Sequence, residues 1–227
     1  MAESQFWHLA SPDSTARLAE WVPGEIETEK VVCPVDAGHR RGGKRLTNLS
    51  VALRGNGVED FVWTWLSECL VQDNVLEIFR KNGFTGFDVK PVKAKFKRDS
   101  DNNPPRLWEL LVMGWAGMAS AESGIKLTKE CRACGLLRYS RCVNPGKLID
   151  VSQWDGSDFF MVWPLPKFIF ITERVARVIR DNAITGVVLQ RPADISFGMV
   201  PFIGPGRLSY RMPPERAREL GGALGID

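Results

Sequence analysis

The chain has 227 residues, of which 44% are hydrophobic and 25% are charged. This composition excludes a mainly disordered protein and supplies enough apolar side chains for a core. Thirty basic and 27 acidic residues leave a net charge of +3, which by itself requires neither a nucleic-acid nor a membrane partner. The apolar runs are far shorter than the roughly 20 residues that cross a bilayer, and no secretory signal is visible. We therefore expect a soluble, cytoplasmic protein.

The first half of the chain predicts strands around one helix. A first strand and a short helix are expected within residues 1–30, and residues 31–45 predict a strand end followed by a glycine-rich basic loop. Apolar periodicity then predicts the following elements in order: a strand at 49–53, a strand at 61–65, a helix at 70–81 that ends at Asn82-Gly83, and a strand at 87–96.

The second half predicts the same types of element. In order, they are a buried strand at 107–113, a loop of small residues at 116–124, strands at 159–163 and 168–171, a helix after Thr172 that ends at Asn182-Ala183, a strand at 185–189 and a short helix at 214–220. We expect one domain over residues 1–195 and a proline- and glycine-rich C-terminal extension over 196–227.

The two halves resemble each other. Residues 75–89 match residues 175–189 at an offset of 100, with Val, Arg, Asn, Thr and Gly at the same places, and Trp63 matches Trp163. The pattern indicates two similar strand–helix–strand units, although helix–turn–strand units also converge on such sequences. Either origin predicts an α+β fold.

Five cysteines and two histidines suggest a metal site. Cys131 and Cys134 are spaced to bind one ion, and Gly135 allows the chain to curl behind them. A structural zinc ion needs four ligands, and Cys33 and His39 are the natural second half. The sequence therefore predicts a structural zinc site in a zinc-ribbon-like element that joins residues 31–45 to residues 125–142.

Other interpretations of these residues stay open. Cys142 is the rival to His39 as fourth ligand, and the cysteine pair could be simply reduced, with His39 in a solvated loop. A thioredoxin-type redox motif fits less well, because it precedes a helix, whereas a strand-like stretch follows Gly135. Cys69 has the apolar context of a core residue, and His8 is expected to be structural or exposed.

The charged clusters do not define a catalytic site. Basic runs at 40–45 and 90–98 allow a nucleic-acid surface, but alternating lysines on a strand are also typical of a solvated face. The acidic residues of Asp155–Asp158 fit an ordinary turn. No known catalytic or phosphate-binding motif is present, so we expect a protein that is not an enzyme.

Several segments together resemble a known family, the double-CXXCG-motif proteins of myxobacteria, which are similar to immunity proteins of polymorphic toxin systems. The matching segments lie within residues 31–192 and are the Cys33-Pro34 element, 75–89, 107–110, 131–135, 154–160 and 172–188. The chain departs from the family pattern at its first motif, where Cys33-Pro-Val-Asp-Ala-Gly-His39 replaces CXXCG. The resemblance implies a cytoplasmic bacterial protein without catalytic residues that binds and neutralises a cognate toxin. The alternative is a zinc-ribbon nucleic-acid-binding or regulatory protein.

Overall fold

The structure is a computed structural model that describes residues 5–12, 18–55, 57–97, 103–198 and 201–227. These residues form sixteen strands and three α-helices, and the fold is α+β as predicted. The strands are β1 (Phe6–Ala10), β2 (Glu20–Trp21), β3 (Thr28–Val31), β4 (Arg41–Arg45), β5 (Ser50–Leu53), β6 (Phe61–Trp63), β7 (Cys69–Gln72), β8 (Phe87–Phe96), β9 (Leu107–Val112), β10 (Gly114–Met118), β11 (Leu127–Cys131), β12 (Leu136–Ser140), β13 (Phe159–Trp163), β14 (Ile169–Thr172), β15 (Val188–Gln190) and β16 (Phe202–Ile203).

The helices are α1 (Asp73–Lys81), α2 (Glu173–Asp181) and α3 (Pro214–Gly221). Helices α1 and α2 form because apolar residues recur at helical spacing, and each buries that face, with Val75, Leu76 and Phe79 inward in α1. In the part of the chain that the structure describes, no helix has the length and apolar character needed to cross a membrane.

The strands form two large sheets and two small ones. The six-stranded sheet has the order β2-β5-β8-β9-β7-β6, and the five-stranded sheet has the order β10-β13-β14-β1-β15. A three-stranded sheet, β11-β12-β16, and a two-stranded hairpin, β3-β4, complete the fold. The largest apolar core takes residues from both large sheets, from α1 and α2, and from the C-terminal residues Leu208, Met212, Ala217 and Ile226.

The predicted repeat corresponds to two units of the same architecture. The first unit is the hairpin β6–β7, helix α1 and strand β8; the second is the hairpin β13–β14, helix α2 and strand β15. Both helices end the same way: the side-chain amide of Asn82 donates to the carbonyl of Ile78, and that of Asn182 donates to Val178. The helices begin and end at positions 100 residues apart, so the offset seen in the sequence is also the offset of the structure.

In each unit a strand from outside the repeat lies between the hairpin and the strand that follows the helix. In the first unit this strand is β9, which pairs with β7 and β8. In the second unit it is β1, which pairs with β14 and β15. The second unit is therefore completed by a strand from the opposite end of the chain, so the duplicated architecture is circularly permuted.

The two inserted strands also match residue by residue. Trp108 lies opposite Val71, and Trp7 lies opposite Ile171, which is the position 100 residues later. The indole N–H of each tryptophan donates to the first acidic residue of the helix in its own unit, Asp73 for Trp108 and Glu173 for Trp7. The sequence comparison missed this part of the repeat because β1 precedes its unit, whereas β9 follows its own.

The turn of the first unit binds the start of the second. The backbone N–H of Thr85 donates to Asp158 Oδ2 at 3.0 Å, and the N–H of Phe159 donates to the carbonyl of Thr85 at 3.0 Å. Gly86 follows with a φ of +81°, and a Cβ at this position would collide with the carbonyl oxygen of Phe159. The close approach of the two chains therefore requires glycine.

The turn of the second unit makes the same contacts with the start of the first unit. The N–H of Thr185 donates to Asp60 Oδ2 at 2.9 Å, and the N–H of Phe61 donates to the carbonyl of Thr185 at 3.1 Å. Gly186 has a φ of +76°, and a Cβ there would collide with the carbonyl oxygen of Phe61. The Thr-Gly turns thus hold the two units together reciprocally. They also explain why the strand predicted at 185–189 begins only at Val188.

Two predicted loops contain strand residues, and in one of them, the loop predicted at 116–124, residues 116–118 belong to β10. Residues 41–45 form strand β4 rather than a loop, because Gly43 lies so close to Glu29 and Val31 of β3 that only glycine fits there. Within residues 1–30, where a short helix is expected, Glu20–Trp21 forms β2 and pairs with β5, and the rest of that expectation falls partly on residues outside the described ranges. Residues 1–4 and 13–17 lie outside the described residues.

His8 lies in β1, inside the second unit. Its ring stacks on Phe168 with 4.9 Å between ring centroids, and Nδ1 lies 3.1 Å from Gln190 Oε1. Burial lowers the pKa of His8 to about 4 from its usual 6.5, and the hydrogen bond with Gln190 only partly opposes this. The unfolded chain therefore takes up a proton at His8 at a higher pH than the folded chain does.

This difference predicts a loss of stability in mild acid. Because the folded-state pKa is depressed, the stabilisation is present above pH 6.5 and is lost as the pH falls towards 4. The His8 contribution to the free energy of unfolding should fall by about 2 kcal/mol between pH 7 and pH 5. His8→Phe keeps the stacked ring and should lose less stability over this interval in urea titrations. Equal losses in the two proteins would contradict the assignment.

Candidate metal centre

Two hairpins bring together the residues predicted to bind a metal. The loop between β3 and β4 carries Cys33 and His39. In the other hairpin, Cys131 is the last residue of β11 and Cys134 lies in the turn that follows. Their ligand atoms all lie within 4.8 Å of one another, although Cys33 and Cys131 are 98 residues apart in the chain. Cys33 and His39 are buried, and the other two cysteines are half-buried.

Local backbone chemistry shapes both hairpin ends. Asp36 begins a short 3-10 turn, Ala37–His39, by accepting a hydrogen bond from the N–H of Gly38, and this turn points His39 inward. In the other hairpin the N–H groups of Cys134 and Gly135 both donate to the carbonyl of Cys131. Gly135 adopts a φ of +66°, so the glycine is needed for the curl that the sequence predicts.

The distances between ligand atoms fit a tetrahedral ion. A tetrahedral centre with metal–sulfur bonds of about 2.3 Å places its sulfur atoms about 3.7 Å apart. Cys33 Sγ lies 3.7 Å from Cys131 Sγ, and Cys134 Sγ lies 3.7 Å from His39 Nδ1. A disulfide needs sulfur atoms about 2.05 Å apart, and these cysteines are free. The four residues are therefore spaced to hold a metal ion.

Two further residues support this set, and the sequence analysis did not identify their roles. The guanidinium of Arg41 donates to Cys134 Sγ at 3.4 Å and to the Cys134 carbonyl at 2.7 Å. Asp36 Oδ2 lies 2.9 Å from His39 Nε2, which is within ion-pair distance, but the two atoms are not aligned for a hydrogen bond. A carboxylate behind a ligating histidine and a cation beside a thiolate are common partners of metal ligands. In the sequence, these roles are indicated only by position: Asp36 lies three residues before His39, and Arg41 lies two residues after it.

The surroundings of the cysteines change their acidity. Burial acts to raise the pKa of Cys134, but hydrogen bonds from Arg41, from the Leu136 amide and from the neighbouring thiols outweigh it and lower the pKa to about 6. Burial raises the pKa of Cys33, and its neighbouring thiols act in the same direction. Cys134 is therefore the thiol of this pair that ionises more readily, and the thiolate is the form that binds metal.

The remaining cysteines lie away from the cluster. Cys142, the rival fourth ligand, is buried in a separate apolar cluster, and its thiol donates to the carbonyl of Ser123. Cys69 lies in the main core, as predicted. His39 rather than Cys142 thus completes the set of four. Strand β12 after Gly135 is the element expected of a metal-binding hairpin rather than of a thioredoxin-type site.

The acidic turn near Asp158 has structural contacts. The carboxylate of Asp155 accepts hydrogen bonds from the N–H groups of Trp115 and Ser157. Asp158 forms an ion pair with Arg174. Partial burial acts to raise the pKa of Asp158, but its hydrogen bonds with Arg174, Thr85 and Thr172 lower it. Both carboxylates therefore hold backbone segments in place, as expected for an ordinary turn.

A scan of the sequence against protein-family models found no match, and a search of curated proteins found no match either.

Proposed function

We propose that this protein is a non-enzymatic immunity protein that binds and neutralises a cognate toxin domain, and that a structural zinc ion fixes its shape. The sequence resemblance over residues 31–192 supports the class of function. The observation that carries the proposal is an exposed tryptophan, Trp65, at the tip of the β6–β7 hairpin.

The donor set supports zinc as the metal. Three cysteine thiolates and one imidazole, at tetrahedral spacing, are the ligands of structural zinc sites. All four positions are taken by protein side chains, so the site is of the closed, structural kind. Bound zinc would supply a crosslink between the two hairpins, and Arg41 would offset the excess negative charge of three thiolates.

Zinc content is the direct test of the site. Protein purified without chelator should contain about one zinc ion per chain by elemental analysis, and Cys131→Ser with Cys134→Ser should contain almost none. Cys142→Ser serves as the matched control, because it removes a buried thiol outside the cluster, and it should keep the metal. Near-zero zinc in the wild-type protein, or undiminished zinc in the double variant, would contradict the assignment.

Trp65 has the exposure of an interface residue. Its side chain is 52% exposed, and the adjacent Leu66 is 44% exposed. The other seven tryptophans are buried or half-buried: Trp7, Trp21, Trp63, Trp108, Trp115, Trp154 and Trp163. Tryptophan is enriched among the few residues that dominate binding energy at protein interfaces. Exposing this side chain is therefore consistent with a partner that covers it.

Comparison of the two units strengthens this inference. The matching turn of the second unit, Pro164–Pro166, buries its central residue, Leu165, to 3% exposure. Equivalent positions of a repeated architecture would have equivalent environments if only folding constrained them. The turn of the first unit differs because Trp65 and Leu66 are exposed, which supports a role for this turn in binding a protein partner.

The ion pairs of the second basic run, residues 90–98, also favour a protein partner over a nucleic acid. Lys93 and Lys95 form ion pairs with Glu25, and Lys97 forms one with Glu20. These lysines are exposed, but their charges are partly balanced by acids of the same face. A phosphate backbone is bound by unbalanced positive charge, and the two glutamates reduce that charge on this strand.

The test uses tagged wild-type protein and two variants, Trp65→Ala and Leu224→Ala, in lysate of the native host, with half of each sample treated with nuclease. Leu224 is 49% exposed and lies far along the chain in the C-terminal turn, so it controls for the loss of an exposed apolar side chain. One stoichiometric protein should survive nuclease treatment with the wild type and with Leu224→Ala. Trp65→Ala should bind it at least about tenfold more weakly.

The captured protein is then expressed in a foreign host with and without this chain. We expect growth arrest in the absence of the chain and normal growth in its presence. Loss of all partners on nuclease treatment would instead support the alternative hypothesis, a zinc-ribbon protein that binds nucleic acid. A captured protein whose expression is harmless would contradict the immunity function.

A further inference from the structure

A partly enclosed cavity of about 730 Å³ lies beside the first unit. Its walls come from β4, from β9, from the hairpin turns of both units and from residues 209–214 near the C-terminus. The volume is in the range of cavities that bind small molecules. It lies apart from the four-residue metal cluster, none of whose members lines it.

Arg211 is half-buried and lines this cavity. Its Nε is buried and makes no hydrogen bond, and no ion pair to Arg211 exists among the residues that the structure describes. Backbone contacts fix its place, since its N–H donates to the carbonyl of Leu208, a fully buried residue. A cation that leaves water is expected to gain paired acceptors, which Arg211 does not find within the described chain.

A second cation faces the same cavity. Lys167 lines it and donates through Nζ to the carbonyl of Leu66 at 2.8 Å, a neutral acceptor. Burial lowers the pKa of Lys167, and the charge of Arg211 lowers it further, so the two cations act on each other. Burial also lowers the pKa of Arg211. Two like charges are therefore held together in a half-enclosed space, which favours a negative charge between them.

Three acids also line the cavity, Glu68, Asp88 and Glu109. Glu109 is buried and forms an ion pair with Arg45. Glu68 accepts hydrogen bonds from the indole of Trp21 and from the hydroxyl of Thr64. The negative charge of Glu68 also acts on Arg211 and Lys167. Of the five lining cations, Arg45 alone has an ion pair among the described residues. The five cations outnumber the three acids, and the other four are Lys44, Lys90, Lys167 and Arg211. The remaining wall includes apolar side chains such as Met161, Ile169 and Met212.

We propose that this cavity is a binding site for a small amphipathic organic anion, with the acidic group held by Arg211 and Lys167 and the apolar body packed on the methionine and isoleucine side chains. A guanidinium suits such a group because its planar donors can bind two oxygen atoms at once. This site does not depend on toxin binding, and it goes beyond the proposed function.

The probe is 8-anilinonaphthalene-1-sulfonate, an aromatic anion, titrated into the zinc-loaded full chain by fluorescence. Its neutral counterpart, N-phenyl-1-naphthylamine, has the same aromatic body without the sulfonate. We expect one site that prefers the anion. Arg211→Met should weaken anion binding at least about tenfold and leave binding of the neutral probe unchanged, consistent with the loss of a charged hydrogen bond. Arg177→Met, on the exposed face of α2, should change neither the binding of the anionic probe nor that of the neutral probe.

A second measurement distinguishes a binding residue from a structural one. Without ligand, removing an unpaired buried charge should stabilise the fold, so the melting temperature of Arg211→Met should rise by about 2–4 °C. The anionic probe should raise the melting temperature of the wild type but not that of Arg211→Met. Lys167→Met provides an independent variant and should also weaken anion binding. Equal binding of the two probes, or a lower melting temperature in Arg211→Met with unchanged anion binding, would overturn the proposal.

Discussion

Gly86→Ala should destabilise the protein by about 3–5 kcal/mol. One part of this cost is the φ of +81°, a backbone conformation that side chains disfavour. The larger part is steric, because the new Cβ would collide with the carbonyl oxygen of Phe159, a backbone atom that cannot move without separating the two units. Most proteins have a total stability of only about 5–15 kcal/mol, so this loss should remove a large fraction of it.

Gly83→Ala is the matched control. Gly83 lies three residues earlier in the same turn with a φ of +61°, but no atom lies within 4 Å of its Cβ position. The equivalent residue of the second unit is Ala183, which adopts a φ of +49°, so the fold already tolerates alanine there. Gly83→Ala should cost only about 1 kcal/mol. Urea unfolding with saturating zinc measures both variants. Similar losses would show that backbone conformation, not the contact between units, makes Gly86 necessary.

Removing the proposed zinc ion should have the second large effect. A crosslink that closes a loop of about 100 residues stabilises a fold by roughly 4–5 kcal/mol, because it restricts the unfolded chain. Cys33 and Cys131 are 98 residues apart, so chelation should lower the free energy of unfolding by about this amount. The hairpin β3–β4 should respond most, since it pairs only with itself and two-stranded hairpins are marginal in water.

The measurement combines urea unfolding with hydrogen exchange, each with and without chelator. Amides of β3 and β4 should lose protection when the metal is removed, whereas those of α1 and α2 should keep most of theirs. Cys134→Ser should match the chelated wild type and show no further response to chelator. Cys142→Ser should respond as the wild type does. A chelator effect that persists in Cys134→Ser would place the metal elsewhere.

The predictable parts of this protein are those whose chemistry is local in sequence. Helices α1 and α2 follow from apolar spacing and from their Asn-containing ends, and the curl at Gly135 follows from one glycine beside two cysteines. The four metal-binding candidates could be chosen because so few residues of the chain can bind zinc. The small number of cysteine and histidine residues therefore allowed the four candidates to be grouped, although the sequence does not show that the two hairpins meet.

The parts that could not be predicted depend on contacts between distant residues. Strand β4 was missed because glycine is a loop signal unless a neighbouring strand approaches closely, and that neighbour is set by tertiary structure. The roles of Arg41 and Asp36 depend on where the opposite hairpin lies. The equivalence of β1 and β9 was hidden because the matching strands stand on opposite sides of their repeats.

The position of β1 has a consequence for how the chain folds during synthesis. The first unit can pair completely once β9 has been made, because all its strands lie within residues 61–112. The second unit cannot, because β1 must wait for β14 and β15, and His8 and its partner Gln190 are 182 residues apart. Contacts of such long range form slowly. Insertion of β1 is therefore expected to be a late folding event, and until then β14 and β15 present unpaired edges that are open to aggregation.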